Sequence, residues 1–165
     1  MDVLILVASK GMNVKLGESL AAEVEKQGGS CETINLVDIG LPLYPCESDE
    51  ATKITEELTA KVSEAKSLIA VAPEYNGSLP PALNNAIAWI SVTSKEWRDA
   101  FNGKPVAIST HSGGGGSYVL SAMRQQFAYV GCNVLGRQIL THYKKELNPE
   151  SAEAVVSELL KYASV

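Results

Sequence analysis

Two kinds of segment alternate along the chain. Short, nearly continuous apolar runs at Val3–Ala8, Cys31–Leu36, Ser67–Ala72, Pro105–Ser109 and Cys132–Leu140 predict five strands. The first, third and fourth read as strands covered on both faces, whereas the second and fifth are more mixed, as edge strands are. Between them, apolar residues recur at helical spacing. Leu16, Leu20 and Val24 predict a helix that Gly28-Gly29 ends, and Ile54, Leu58 and Val62 a second one behind the acid-rich Glu47-Ser48-Asp49-Glu50. Leu83, Ile87 and Ile90 follow Pro80-Pro81, prolines that a first helical turn tolerates. Leu120, Met123, Phe127 and Val130 form a fourth stripe. Val155 or Val156, Leu159 and Tyr162 form the last, behind Asn148-Pro149-Glu150. Strict strand–helix alternation predicts an α/β fold, a parallel sheet with helices on both faces. Five strands fit the order 2-1-3-4-5 better than the six usual in a dinucleotide-binding sheet, and in either case ligands bind outside the carboxyl ends of the strands.

Composition narrows the class. A chain of 165 residues, 45% hydrophobic and 20% charged, reads as one globular domain over 1–165. No apolar run approaches the roughly 18–20 residues of a membrane span, and Asp2 stands where a secretory leader carries positive charge, so a cytoplasmic protein away from membranes is expected. The net charge of −5 argues against a nucleic-acid partner. Three cysteines without CxxC spacing argue against a disulfide framework or a metal site.

The chemistry is therefore sought in the turns that follow the strands. After the first comes Ser9-Lys10-Gly11-Met12-Asn13 and then a helix, so free N–H groups and a positive dipole end offer an anion seat suited to a phosphate. The alternative is that Ser9 or Asn13 simply caps the helix. The turn is neither GxGxxG nor a Walker loop, and Ala8-Ser9 lacks the acids of a receiver domain. After the third strand, Pro73-Glu74-Tyr75-Asn76-Gly77-Ser78 sets an aromatic, an amide and a hydroxyl on an exposed turn, suited to the polar edge of a flat heterocycle; Asn-Gly is also good turn chemistry by itself. After the fourth, Thr110-His111-Ser112-Gly113-Gly114-Gly115-Gly116-Ser117 brings four glycines where a linker has no purpose. Close approach of backbone N–H groups to a ligand is the better reason, with a loose surface loop as the alternative, and GxSxG is absent. His111, His142 (beside Tyr143) and Cys46 read as ordinary loop residues.

Taken whole, Pro73-Glu74-Tyr75-Asn76-Gly77-Ser78-x-Pro80-x-x-Leu83-x-Asn85-Ala86-Ile87-x-Trp89 resembles the signature of the NAD(P)H-dependent FMN reductase family, P-x-Y-N-x-S-x-P-x-x-L-K-N-A-I-D-W. Asp38-Ile39-Gly40-Leu41-Pro42-Leu43-Tyr44 and Gly103-Lys104-Pro105-Val106-Ala107-Ile108 are similar to the family's stretches after the second strand and at the fourth. The resemblance implies a three-layer α/β/α flavodoxin-like fold, bound FMN, NADPH or NADH as co-substrate, a small-molecule acceptor such as a quinone, azo dye or flavin, and a homodimer or homotetramer. It places the phosphate at Ser9, Lys10, Gly11, Met12 and Asn13. The flavin ring falls at Pro73, Glu74, Tyr75, Asn76, Gly77 and Ser78, and its other edge at His111, Ser112, Gly113, Gly114 and Gly115, with the loop running on to Gly116. The chain departs from the family in three places. Its phosphate turn is shorter and lacks the arginine and second serine, Asn84 replaces a lysine, and Ala88 replaces an aspartate.

The implied reaction needs no nucleophile or dedicated base, because a flavin carries the hydride chemistry, so no catalytic residue is expected. The rival readings are a flavodoxin-type electron carrier working with a partner reductase and a flavin-free regulatory protein of the same fold. Flavodoxins are usually more acidic and cover both flavin faces with aromatics. Here Tyr75 is the sole aromatic in the three principal turns, which leaves a face open to a nicotinamide.

Overall fold

The computed structural model describes residues 1–163. Its elements in chain order are β1 (Val3–Val7), α1 (Met12–Lys26), β2 (Cys31–Asn35), α2 (Asp49–Glu64), β3 (Ser67–Val71), α3 (Pro81–Thr93), β4 (Pro105–His111), α4 (Ser117–Tyr129), β5 (Asn133–Val134), β6 (Ile139–Thr141) and α5 (Pro149–Ala163). The sheet is parallel in the order β2-β1-β3-β4-β5, with β6 also on β4.

The apolar runs are continuous because both sheet faces are covered. Leu4, Leu6, Leu68, Ala70, Val106 and Ile108 face α2, α3 and α4, while Val3, Ile5, Val7, Ile69, Val71 and Ala107 face α1 and α5. Residue alternation thus builds two cores from one sheet. The helix starts follow their local chemistry. Ser48 caps α2 by accepting from the Ala51 N–H, Pro81 is the first residue of α3, and Asn148 accepts from the Ser151 N–H at the start of α5.

Three expectations are corrected. The fifth strand is two short pieces: Val106 to Ser109 on β4 runs beside Val134 to Ile139, which is two residues longer, so the polar Gly136-Arg137-Gln138 bulges out of the ladder. In addition β4 continues to His111, which places Thr110 and His111 on the strand end rather than in the following loop. The last helix also turns differently from the expected stripe, because Tyr162 is exposed and Ala163 is buried.

Polar ties close the amino edge of the sheet. The Ser30 hydroxyl and N–H donate to Asp2 and hold its carboxyl down at about 2, with Lys66 adding to the effect. Lys104 donates to the carbonyls of Ser63 and Ala65 at the end of α2, and burial lowers its pKa.

Candidate functional site

The turns after β1, β3 and β4 meet at the carboxyl edge of the sheet. In the first, α1 starts behind Gly11 (φ 72°) with no side-chain cap. The Ser9 hydroxyl donates to the Lys10 carbonyl at 3.2 Å, and Asn13, 4% exposed, grips β4 instead. Its Nδ2 donates to the His111 carbonyl at 2.9 Å, and its Oδ1 accepts from the His111 N–H at 2.8 Å. Neither residue caps the helix, so the capping alternative does not hold. The first-turn N–H groups of α1 lack a side-chain acceptor, which leaves a seat for an anion. Met12 lies beside it, 43% exposed, and Lys10 pairs with Asp38 at 2.9 Å on the surface.

The second turn is a tight hairpin. Tyr75 and Ser78 exchange backbone bonds of 3.1 and 3.0 Å around Asn76 (φ 51°) and Gly77 (φ 72°), the two left-handed residues that a type I′ turn requires. Tyr75 is held half-exposed at its base, behind buried Pro73. Glu74 does not present a free carboxylate here. One of its oxygens accepts from the N–H groups of Tyr118 (3.0 Å) and Val119 (3.2 Å), so it caps α4, while its own N–H donates to the Ser112 hydroxyl at 2.7 Å. The Glu74–Ser112 bond ties the second turn to the third.

In the third turn Ser112 is buried and its hydroxyl also meets Thr110 Oγ1 at 2.9 Å, whereas Gly113 and Gly114 are exposed. Gly116 (φ 77°) lies under the loop, and a side chain there would come within 2.6 Å of the Thr110 methyl. His111 points away from the loop, with Nδ1 3.1 Å from Thr141 Oγ1 and its ring edge-on to Tyr143 at 5.4 Å.

A fourth turn completes the edge and is the part that sequence reasoning passed over. His142 and Lys145 exchange backbone bonds of 2.9 and 2.8 Å, and between them Tyr143, 81% exposed, lies against the Gly113 backbone and the His111 ring. The available signal was a tyrosine beside a histidine just past the last strand. Together the four turns bring the expected residues 9–13, 73–78 and 111–115 to one edge.

The rest of the signature does structural work. Asn85 accepts from the Tyr44 N–H and donates to the Pro42 carbonyl, Trp89 Nε1 donates to the same carbonyl at 2.7 Å, and the Tyr44 and Trp89 rings meet edge-on. These contacts fix the loop after β2. Asn84, in the place of the signature's lysine, accepts from Gln126 on α4. Nucleophile chemistry has little support: burial pushes the Cys132 thiol up to about 12 and raises that of Cys31. Among the described residues no group of three or more His, Cys, Asp or Glu could hold a metal, and no helix is long and apolar enough to cross a membrane.

Comparison with known proteins gives the same direction. Residues 1–146 match the family model of NADPH-dependent FMN reductases. A 2-hydroxy-1,4-benzoquinone reductase from Burkholderia sp. is 30% identical over 131 residues, covering 76% of this chain and 70% of that protein. Among solved structures, the flavoenzyme FerB from Paracoccus denitrificans, an NAD(P)H:(acceptor) oxidoreductase, superposes with a TM-score of 0.73 at 23% identity, over 99% of this chain and 95% of that one. A flavodoxin from the domain Archaea superposes at 0.68 and 11% identity, over 99% and 97% of the two chains. The fold is therefore flavodoxin-like.

Proposed function

The chain belongs to the family of NADPH-dependent FMN reductases, with FMN as cofactor and NAD(P)H as co-substrate, and on that premise we propose that it is a quinone or flavin reductase acting as one FMN-binding domain over residues 1–165. The net reaction is NAD(P)H + H⁺ + quinone → NAD(P)⁺ + hydroquinone. When bound, FMN supplies the two-electron chemistry that links the two substrates.

The observation that carries the reading is the convergence of an uncapped α1 N-terminus, the Tyr75 hairpin and the glycine loop on one edge. The fit to FMN follows from local geometry. Backbone N–H groups of Lys10 to Asn13 would hold the phosphate with the helix dipole behind them, which would offset the missing arginine. Added methyl groups at Gly11, Gly77 and Gly115 would meet nothing within 4 Å, so the backbone is open to a ligand at all three turns. Glu74, by capping α4 and bonding Ser112, sets the distance between the walls of the ring site. The exposed backbone of Gly113 and Gly114 would hold the flavin and stabilise negative charge on the reduced ring. Tyr75 and Tyr143, both exposed, would supply aromatic surface beside the ring.

The protein is proposed to work in the cytoplasm as a homodimer or homotetramer. An exposed aromatic face supports an oligomer: Arg98 lies 4.1 Å over the Trp97 ring and 5.4 Å over that of Tyr129, residues 47% and 68% exposed.

The test is steady-state NADPH oxidation with a benzoquinone acceptor by purified, FMN-loaded protein with no second protein present. FMN-dependent turnover is expected. Tight flavin binding without turnover would place the chain among electron carriers and overturn the reading.

A further inference from the structure

Between the glycine loop and the fourth turn lies an open cleft of about 360 Å³, lined by Gly113, Gly114 and Gly115 on one side and by His142, Tyr143 and Lys144 on the other. Local bonding fixes the turn. His142 and Lys145 close it through their backbones, the Lys144 N–H donates to His142 Nδ1 at 3.2 Å, and the Tyr143 ring lies against the Gly113 backbone. Lys144 is exposed and in no ion pair among the described residues. The turn therefore holds an unneutralised ammonium beside the loop.

The loop has a carboxylate on its other side. A methyl group placed on Gly113 would lie 3.0 Å from the Tyr143 ring, whereas one placed on Gly114 would lie 3.8 Å from Glu74 Oε1. Consecutive glycines thus look toward the cationic turn and toward an acid. The other oxygen of Glu74 is occupied by the N–H groups of Tyr118 and Val119. The remaining charged groups of the turn, Lys145 and Glu146, line a separate cavity beside Lys15 on α1. Among the described residues, Lys144 is the one charged side chain that lines the cleft at the loop.

Reduction changes what the loop must hold. Hydride transfer from NAD(P)H carries two electrons and one proton, so the neutral oxidised ring gains one negative charge and the nicotinamide leaves with the matching positive charge. Backbone N–H dipoles answer that charge only in part, and Glu74 and a net chain charge of −5 oppose it. We propose that Lys144 supplies the full positive charge that stabilises reduced FMN at the glycine loop, and so sets the potential at which this protein takes electrons from NAD(P)H. The assignment rests on the flavin reading of that loop and gives the fourth turn a task within it. An ammonium is a compact point charge that acts through space, so Lys144 needs no contact with the ring.

The experiment measures the two-electron midpoint potential of bound FMN, anaerobically, for the natural protein and for Lys144→Gln, Lys144→Arg and Lys145→Gln. The potential reads only the difference in affinity between reduced and oxidised flavin, so a variant that holds both forms less tightly, or is partly unfolded, leaves it in place. Lys144→Gln is expected to cost reduced FMN about tenfold of its advantage, a fall of about 30 mV. Lys144→Arg keeps the charge and is expected to stay near the natural value. Lys145→Gln removes the same charge one residue on, toward the other cavity, and is expected to shift the potential less than half as far. The gap between the two glutamine variants narrows at high salt, because the cleft is open to solvent. An unchanged potential in Lys144→Gln, or an equal shift in Lys145→Gln, overturns the assignment. A natural protein that takes up no FMN overturns the flavin reading itself, and the assignment with it.

Discussion

Replacing Asn13 with leucine is expected to lower stability by about 3 kcal/mol and to weaken FMN binding at least about tenfold. The side chain is 4% exposed, and both ends of its amide are taken by the His111 backbone, 98 residues away. Leucine has similar bulk, so packing survives, but a buried N–H and a buried carbonyl lose their partners, each at about 1–3 kcal/mol. For a chain of this size 3 kcal/mol corresponds to a fall in Tm of roughly 6–12 °C. The same bonds hold the turn after β1 against the end of β4, so the anion seat and the glycine loop lose their fixed spacing together. Thermal melts with and without FMN check both parts. A variant that melts like the natural protein would show that the bond pair does not secure the edge.

Gly116→Ala is expected to cost about as much, from different causes. At φ 77° an alanine bears the left-handed penalty of about 1–2 kcal/mol. Its methyl group would also lie 2.6 Å from Thr110 Cγ2, in a side chain that is 0% exposed, β-branched and tied to Ser112. Relieving that overlap costs roughly 1–3 kcal/mol more. Gly77→Ala is the matched control, because Gly77 is the second left-handed residue of the Asn76-Gly77 turn (φ 72°) and has nothing within 4 Å of the new methyl group. Denaturant titration of both variants isolates the overlap as their difference. Equal losses would mean that Thr110 yields and that the glycine loop is softer than its contacts indicate.

The sheet and its helices were legible because the signals are local. Val3–Val7 and Ser67–Val71 lie under helices on both faces, so every residue but Ser67 is apolar, and Pro81 and Ser48 mark helix starts by their own chemistry. The broken edge was not legible. Whether Gly136-Arg137-Gln138 stays in the ladder depends on the partner strand, and a run of apolar residues on either side reads as continuous. Within the site, Asn76-Gly77 announced its hairpin through turn chemistry that acts over four residues. The roles of Asn13 and Glu74 depended on partners 98 and 44 residues away, and a sequence read alone shows only a polar residue near a helix start. Tyr143 was missed for a related reason. With the last strand drawn to Leu140 as one piece, the turn that carries the ring against Gly113 had no place in the scheme.

By itself, this chain is proposed to pass electrons from NAD(P)H through FMN to a small oxidised molecule. The direct measurement is an anaerobic absorption titration of the FMN-loaded protein with NADPH, followed by a benzoquinone. The flavin bands are expected to bleach in proportion to NADPH added and to return as hydroquinone forms, with no other protein in the cuvette. A protein that takes up FMN but keeps its bands in the presence of both NADPH and NADH, or one that does not take up FMN, would contradict the account.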